Sequence, residues 1–442
     1  MAADSTLRMV LLVAGPLAIA AAFALTLMQS EPVSTHFYLV AWYSLIFSLD
    51  RVIHKVEGSS LIGRCSLRGF SLILFWSAVV WFFFELLNFR LQNWYYVFVT
   101  DSATIRLFGT FIAFGTVFPG IFWIGHTLSL LGLGRCIRGP VVIFSSRQLT
   151  LLQMTGVLFL GLSMLQPQLF FALVWGSVVL FIAPINYRRG IDGLLRQLER
   201  GEYGPTVRML VAGMVAGLCW EFFNYWARAK WIYTVPFFDE LKLFEMPLAG
   251  FIGFPPFAVE CACVYRLLVW HRLAPAFGEF SQQKPSLNRT HQLVVLITGG
   301  IFSVLVFLGV ESWTVASMTP RVSQVESLDI DARRQLESNG IIHLTQLRGP
   351  GSAQKWRTLS EQLEPAHRQR LEQLTDLYLH QGIGTEHGNA LVRAGVGSIE
   401  DLARYSTAQL YERLSATTKG GRMPTVAQLR VWQRRAEALS DN

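Results

Sequence analysis

Residues 81–96, WFFFELLNFRLQNWYY, and residues 219–233, CWEFFNYWARAKWIY, are two copies of one pattern. Each carries Glu and Asn three apart, Glu85 with Asn88 and Glu221 with Asn224, followed by Trp and Tyr two apart, Trp94 with Tyr96 and Trp231 with Tyr233. A carboxylate inside an apolar helix is costly, so a repeated one implies a repeated reason. The copying extends outward. Trp42 and Ser44 match Trp175 and Ser177, Leu107-Phe108 matches Leu243-Phe244, and Phe118-Pro119 matches Phe254-Pro255, at offsets of 133 to 136 residues. We read an internal duplication with repeats over about 37–125 and 168–269. Self-similarity at a fixed offset sets architecture before any local assignment, and repeats in membrane bundles place sites between their halves.

Composition supplies the setting. The 442 residues are 52% hydrophobic and 15% charged, and the apolar residues come in long blocks, which excludes an ordinary globular protein and predicts an all-α, polytopic membrane helix bundle. Nine spans are expected, near 8–28, 37–50, 69–89, 107–125, 149–165, 168–186, 206–227, 243–269 and 292–314. The first reads as a retained helix in preference to a signal peptide, being long for the apolar region of a signal. Loops 51–68, 126–148, 187–208 and 266–291 hold 16 Lys and Arg, against 5 in the alternate connections. The basic set is therefore expected in the cytoplasm, with a cytoplasmic amino terminus and a carboxy-terminal region outside the cell (inner) membrane. The net charge of +8 is mostly this positive-inside excess and gives no reason to expect nucleic acid. None of the five cysteines falls beyond residue 263, so no disulfide framework is implied.

Several side chains are candidates for chemistry. Following helix directions, Glu85, Glu221 and Glu311 fall in the outer half of the bilayer, with Glu260 deeper. Glu and Asn at i and i+3 share a helix face, so Asn88 and Asn224 can each bond a neighbouring carboxyl or a substrate group. A second reading stands beside this one: Trp94, Tyr95, Tyr96, Trp231 and Tyr233 are the residue types of an interfacial aromatic belt, and Arg90, Arg228 and Lys230 could pair with the acids to lock the two halves together. Between Met246 and Glu260, prolines at 247, 255 and 256 would free backbone carbonyls, tolerable in a bilayer only where they are buried in protein or line a cavity; a packing kink is the alternative. No metal or cofactor motif occurs: histidines lack HxxxH or HExxH spacing, and Walker, Rossmann and Gly-x-Ser-x-Gly patterns are absent.

An acid at a helix end, then Trp231-x-Tyr233, then Leu243-Phe244-x-x-Pro247-Leu248 opening an apolar helix, is similar to the membrane-integral lycopene cyclases and their carotenoid hydratase relatives, which are built from two related three-helix halves. The resemblance implies a carboxylic acid that protonates a terminal double bond of a long isoprenoid, without metal or redox cofactor. Glu221 and Glu85 would match the acid, Trp231 and Tyr233 the aromatic pair, and Pro247 the helix opening; aromatic faces can stabilise a carbocation. Leu248-Ala249-Gly250 stands where that family carries paired acids, and the first repeat reads Phe111-Ile112-Ala113. The expected ligand is thus a membrane lipid or isoprenoid, bound or transformed with Glu221, Glu85 and Glu260 as proton donors or acceptors. The alternative is a non-enzymatic scaffold or receptor.

Composition changes at Met318-Thr319-Pro320, dividing a membrane part, 1–319, from a small soluble all-α domain, 320–442. Asn339-Gly340 and Ala394-Gly395 read as helix ends, and Ser406-x-x-Gln409 and Thr425-x-x-Gln428 as capping boxes. From Leu377 to Leu402 the order is helix, Gly382-Ile383-Gly384 turn, helix, Ala394-Gly395-Val396, helix, which resembles the helix-hairpin-helix family. The resemblance implies that the turn offers backbone amides to an anion. Glu386 beside the turn, together with the expected extracytoplasmic location, points to a protein partner or a packing role and away from nucleic acid.

Overall fold

The computed structural model describes residues 2–235, 237, 241–280, 288–348, 352–418 and 422–440. Helices dominate, as the apolar blocks predict. The membrane part runs α1 (Ala2–Leu27), α2 (Val33–Glu57), α3 (Leu61–Leu91), β1 (Trp94–Val97), α4 (Ala103–Phe114), α5 (Val117–Leu130), α6 (Ser146–Leu165), α7 (Pro167–Phe170), α8 (Val174–Arg188), α9 (Leu194–Glu199), α10 (Gly204–Trp226), β2 (Lys230–Tyr233), β3 (Lys242–Leu243), β4 (Met246–Pro247), α11 (Phe254–Trp270) and α12 (Arg289–Gly309). The tail follows as α13 (Ile330–Ser338), α14 (Ala353–Gln362), α15 (Pro365–Leu379), α16 (Gly384–Arg393), α17 (Ile399–Arg404), α18 (Thr407–Thr417) and α19 (Val426–Ser440).

Eight of the described helical stretches are long and apolar enough to cross a membrane. The expected span at 37–50 is α2, and it is not among the eight. Asp50, Arg51 and Lys55 dilute its apolar run. Its 25 residues nonetheless measure about 37 Å, and its ends meet opposite poles of the bundle: the Arg228 amide donates to Ser34 O at 2.9 Å, and Glu57 pairs with His126 at the end of the α4–α5 rod. Asp50 is fully buried and accepts from Arg51, the Ile62 amide and Trp123 Nε1.

The duplication builds a cross-packed pair of halves. Trp42 of the first repeat lies 5.6 Å from Trp220 of the second, and Trp175 of the second stacks at 5.3 Å on Phe84 of the first. Phe84 and Trp220 immediately precede Glu85 and Glu221. Each half therefore buries its partner's acid-bearing helix, and one aromatic core joins both.

The joint is sealed by strands that the helical reading missed. β1 and β2 pair antiparallel, Trp94 opposite Tyr233 and Tyr96 opposite Trp231, so the two Trp-x-Tyr motifs meet each other about a pseudo-twofold. The chain after α12 then joins β1 on its other side, with the Ala316 amide donating to Tyr96 O at 2.8 Å and the Val99 amide to Ser317 O at 3.2 Å. Strand residues four long at helix ends give too short an alternation to register against flanking helical patterns.

The tail has its own core, from Val322 to Ala436. Its punctuation follows the sequence: Asn339 and Ala394 are helix C-caps followed by glycines at φ +71° and +84°, and the Ser406/Gln409 and Thr425/Gln428 pairs bond reciprocally.

Candidate functional site

Below the β1–β2 ribbon lies a cavity of about 230 Å³ between the two halves. Aromatic rings dominate its walls: Tyr38, Trp81, Trp94, Tyr96, Trp175, Trp220, Trp231, Tyr233, Phe254 and Phe257 line it, together with two carboxylates, Glu221 and Glu311. At its ribbon end two cations line the cavity, and both are neutralised. Arg106 Nε donates to both Glu311 oxygens at 2.9 Å, and Lys230 Nζ donates to Glu245 at 2.6 Å.

Each acid is delivered to the joint by the last turns of its helix, and the Asn three residues later fixes the chain that follows. Asn88 Nδ2 donates to Trp94 O at 3.0 Å and its Oδ1 accepts from the Asn93 amide at 2.9 Å. Asn224 repeats this, Nδ2 to Trp231 O at 3.0 Å and Oδ1 from the Trp231 amide at 2.9 Å. Both amides are used up on backbone, so they hold the ribbon and do not reach a carboxyl or substrate.

The two carboxylates are fully buried but differently served. Glu85 Oε1 accepts three hydrogen bonds, from Trp81 Nε1 at 3.1 Å, Trp94 Nε1 at 3.0 Å and Tyr96 OH at 2.6 Å. Those three side chains line the cavity and Glu85 does not, so its own donors wall it off. Glu221 Oε1 accepts one, from Tyr233 OH at 2.8 Å; Oε2 of both carboxyls has no hydrogen-bond partner among the described residues. The difference has a local cause. Gly217 stands where the first repeat has Trp81, and the Phe254 ring fills the space a side chain there would need. Trp231, the counterpart of Trp94, turns its ring edge-on to Tyr38 at 5.4 Å.

Other sequence expectations are redistributed. The aromatic pairs are not an interfacial belt: Trp94 and Tyr95 are 6% and 3% exposed, and Trp94, Tyr96, Trp231 and Tyr233 face the cavity because the ribbon folds them inward. The bases do not lock the acids. Arg90 donates to Leu165 O, Arg228 pairs with Glu31, and Lys230 pairs with Glu245. Glu260 does not join the cavity; its Oε1 accepts the Val178 and Val179 amides at 3.1 and 3.3 Å, tying α11 to α8. Pro247 opens the stretch as expected, but through β4 and a 3-10 turn, Leu248–Gly253, whose Gly250 and Gly253 line the cavity with Met246.

The Gly382-Ile383-Gly384 turn is not open to an anion. Gly382 and Gly384 have φ of +72° and +70°, and a Cβ on either would collide with Val97 of β1 or with Ser317. Ile383 is completely buried, and Tyr95 OH donates to Gln381 O at 2.9 Å. Arg422 donates to Val315 O, and Arg321 pairs with Asp101. The tail thus grips the roof of the cavity, with Val97 and Ser317 packed against the turn and the Ile383 amide donating to His380 O at 3.0 Å.

Sequence reasoning did not find Trp81, Tyr38, Trp175 and Trp220 as cavity residues. Trp81 carried a usable signal, lying four before Glu85 on the same helix face; the others depend on packing between halves.

Residues 326–439 match the family described as a domain of unknown function, DUF4332. No curated protein matches the chain, and neither does any solved structure.

Proposed function

We propose that the protein is a multi-pass membrane protein whose inter-repeat cavity binds a long apolar isoprenoid or related lipid, and that Glu221 performs acid–base chemistry on it. The observation that carries this reading is that Glu221, alone of the three buried glutamates whose Oε2 has no hydrogen-bond partner among the described residues (Glu85, Glu221 and Glu260), lines the cavity among its aromatic rings. Buried polar atoms are nearly always satisfied, and the exceptions cluster where function needs them. In its protonated form the Glu221 carboxyl can give its proton to a double bond, leaving a carboxylate and a carbocation; the same carboxylate can take a proton back from an adjacent carbon. Ring faces of Trp220, Trp231 and Tyr38 supply cation–π stabilisation without a nucleophile. The remote likeness to lycopene cyclases and hydratases supports this chemistry, with Glu221 in the role of the acid.

In the same reading the basic loops face the cytoplasm and the tail is extracytoplasmic, a helix-hairpin-helix-like module whose turn packs against its own membrane domain. A scaffold recruiting partners through that turn is disfavoured, because Val97 and Ser317 already occupy it.

The test is mass spectrometry of lipids that copurify in mild detergent with the wild type and with the Glu85→Gln/Glu221→Gln double variant. An isoprenoid in the wild type, lost or accumulated unconverted in the variant, is expected. Bulk phospholipid alone in both would overturn the proposal.

A further inference from the structure

One side of the cavity is closed by very little. Where α2 and α4 pass each other, the lining comes from Thr35, His36 and Leu39 of α2 and from Ile105, Gly109 and Ala113 of α4. The α4 residues are four apart, so they form one stripe along one helix face. In its middle, the position that a Cβ on Gly109 would take has no atom within 4 Å. Ile105 lines the cavity and is also 51% exposed, so it stands at an opening. The outer flank of α4, Phe108 and Ile112, is 63% and 46% exposed, and the helix belongs to the apolar stretch Ala103–Leu130. Apolar side chains exposed along a spanning segment face hydrocarbon. The opening therefore faces lipid.

The gap has defined edges. On one side Tyr43 OH donates to Ile112 O at 3.0 Å, holding α2 to α4. On the other the Arg106–Glu311 pair ties the start of α4 to the end of the α12 rod. Between these pins, His36 breaks the helical path of α2, with φ −105° and ψ 16°. A stripe of small residues alone would be only a packing feature. Here it borders a cavity lined by the fully buried Glu221, whose Oε2 has no hydrogen-bond partner among the described residues.

We infer that a ligand dissolved in the bilayer enters the cavity sideways, between α2 and α4 across Gly109, and that Gly109 sets the width of that entry. The inference rests on the proposed isoprenoid-binding role of the cavity. A lateral door removes the need to draw a long apolar chain through water, where every exposed CH2 is unfavourable. It also places the chain's approach along the Ile105–Ala113 stripe, which points toward Phe114 and Val117 deeper in the cavity.

Two measurements on the full-length protein in phosphatidylcholine vesicles test this. In the first, geranylgeraniol is supplied from donor vesicles and the bound amount is followed by mass spectrometry. Uptake should slow tenfold or more in Gly109→Trp and keep the wild-type rate in Phe108→Trp, whose ring lies on the lipid side of the same helix. An unchanged rate in Gly109→Trp would overturn the lateral entry. In the second, a nitroxide label is placed on Gly109→Cys in a Cys136→Ser/Cys219→Ala background, without added ligand. Relaxation by oxygen, which partitions into the bilayer, is expected to exceed relaxation by a water-soluble nickel chelate; the reverse would show that the gap opens to water and would also overturn the entry route. Failure of the wild type to take up geranylgeraniol with a lipid-accessible label would sink the proposed ligand class and leave the door in place.

Discussion

The two repeats present the same carboxylate in two conditions. Glu85 has three donors on one oxygen and is screened from the cavity by the side chains that provide them; Glu221 has one donor and looks into the cavity. The scaffolding around them has stayed symmetric, down to the matched bonds of Asn88 and Asn224 and the twofold pairing of the Trp-x-Tyr strands. The two copies of the frame thus match, while the acids differ: Glu85 is enclosed by its own donors and Glu221 lines the cavity. The difference comes from two changes: Gly217 stands in place of Trp81, and the Trp231 ring, the counterpart of Trp94, lies edge-on to Tyr38 instead of donating to the acid.

The sharpest way to break the comparison is to remove each acid. Glu85→Leu leaves three donors without an acceptor, at about 1–3 kcal/mol each, and should lower the melting temperature of the detergent-solubilised protein far more than Glu221→Leu, which orphans only Tyr233. Equal losses would mean that the three-to-one difference in bonding has no energetic weight. Next in size are the roof contacts. Gly382→Ala and Gly384→Ala each add a clash to a left-handed backbone that already costs an L-residue about 1–2 kcal/mol, so limited proteolysis should release the tail faster while the bundle remains folded. Asn88→Ala and Asn224→Ala should each cost about 1–3 kcal/mol and by similar amounts, since each holds the backbone of its Trp-x-Tyr strand and Asn88 adds only a longer contact from the Trp94 amide at 3.4 Å; a loss at one position alone would show that the frames are not equivalent.

The smallest effect sharpens the contrast between membrane part and tail. His387 is 2% exposed against Trp432, and burial pushes its pKa down from 6.5 to about 4. The unfolded tail binds a proton that the folded tail refuses, so this contribution is complete above pH 6.5 and is lost as pH falls from there through about 4, at about 1.4 kcal/mol per pH unit at most. Circular dichroism of the His387→Gln variant should show a shallower acid loss than the wild type; identical slopes would assign that loss to other groups.

The duplication was legible because chemically distinctive residues recur at an almost constant spacing: Glu, Asn, Trp and Tyr in apolar surroundings leave a mark that periodicity alone would not. Helix ends in the tail were legible for the same local reason, since a cap is made by neighbours in sequence. The ribbon was not, because its paired residues lie 135 and 139 apart, Tyr96 opposite Trp231 and Trp94 opposite Tyr233, and each strand is only four residues long. Nor was the use of Gly382 and Gly384. A glycine turn looks alike whether it waits for an anion or for Val97, and only the contact tells them apart. The different surroundings of Glu85 and Glu221 were half legible: Trp81 against Gly217 stands in the sequence four residues before each acid, but the Phe254 ring at Gly217 and the turn of Trp231 toward Tyr38 come from packing between elements.

The most direct test of the asymmetry is to compare Glu85→Gln and Glu221→Gln singly, each purified in mild detergent, by mass spectrometry of the bound lipid. The account predicts that Glu85→Gln carries the same isoprenoid species as the wild type, whereas Glu221→Gln carries an unconverted one or none. The same lipid in all three proteins, or a change confined to Glu85→Gln, would contradict it.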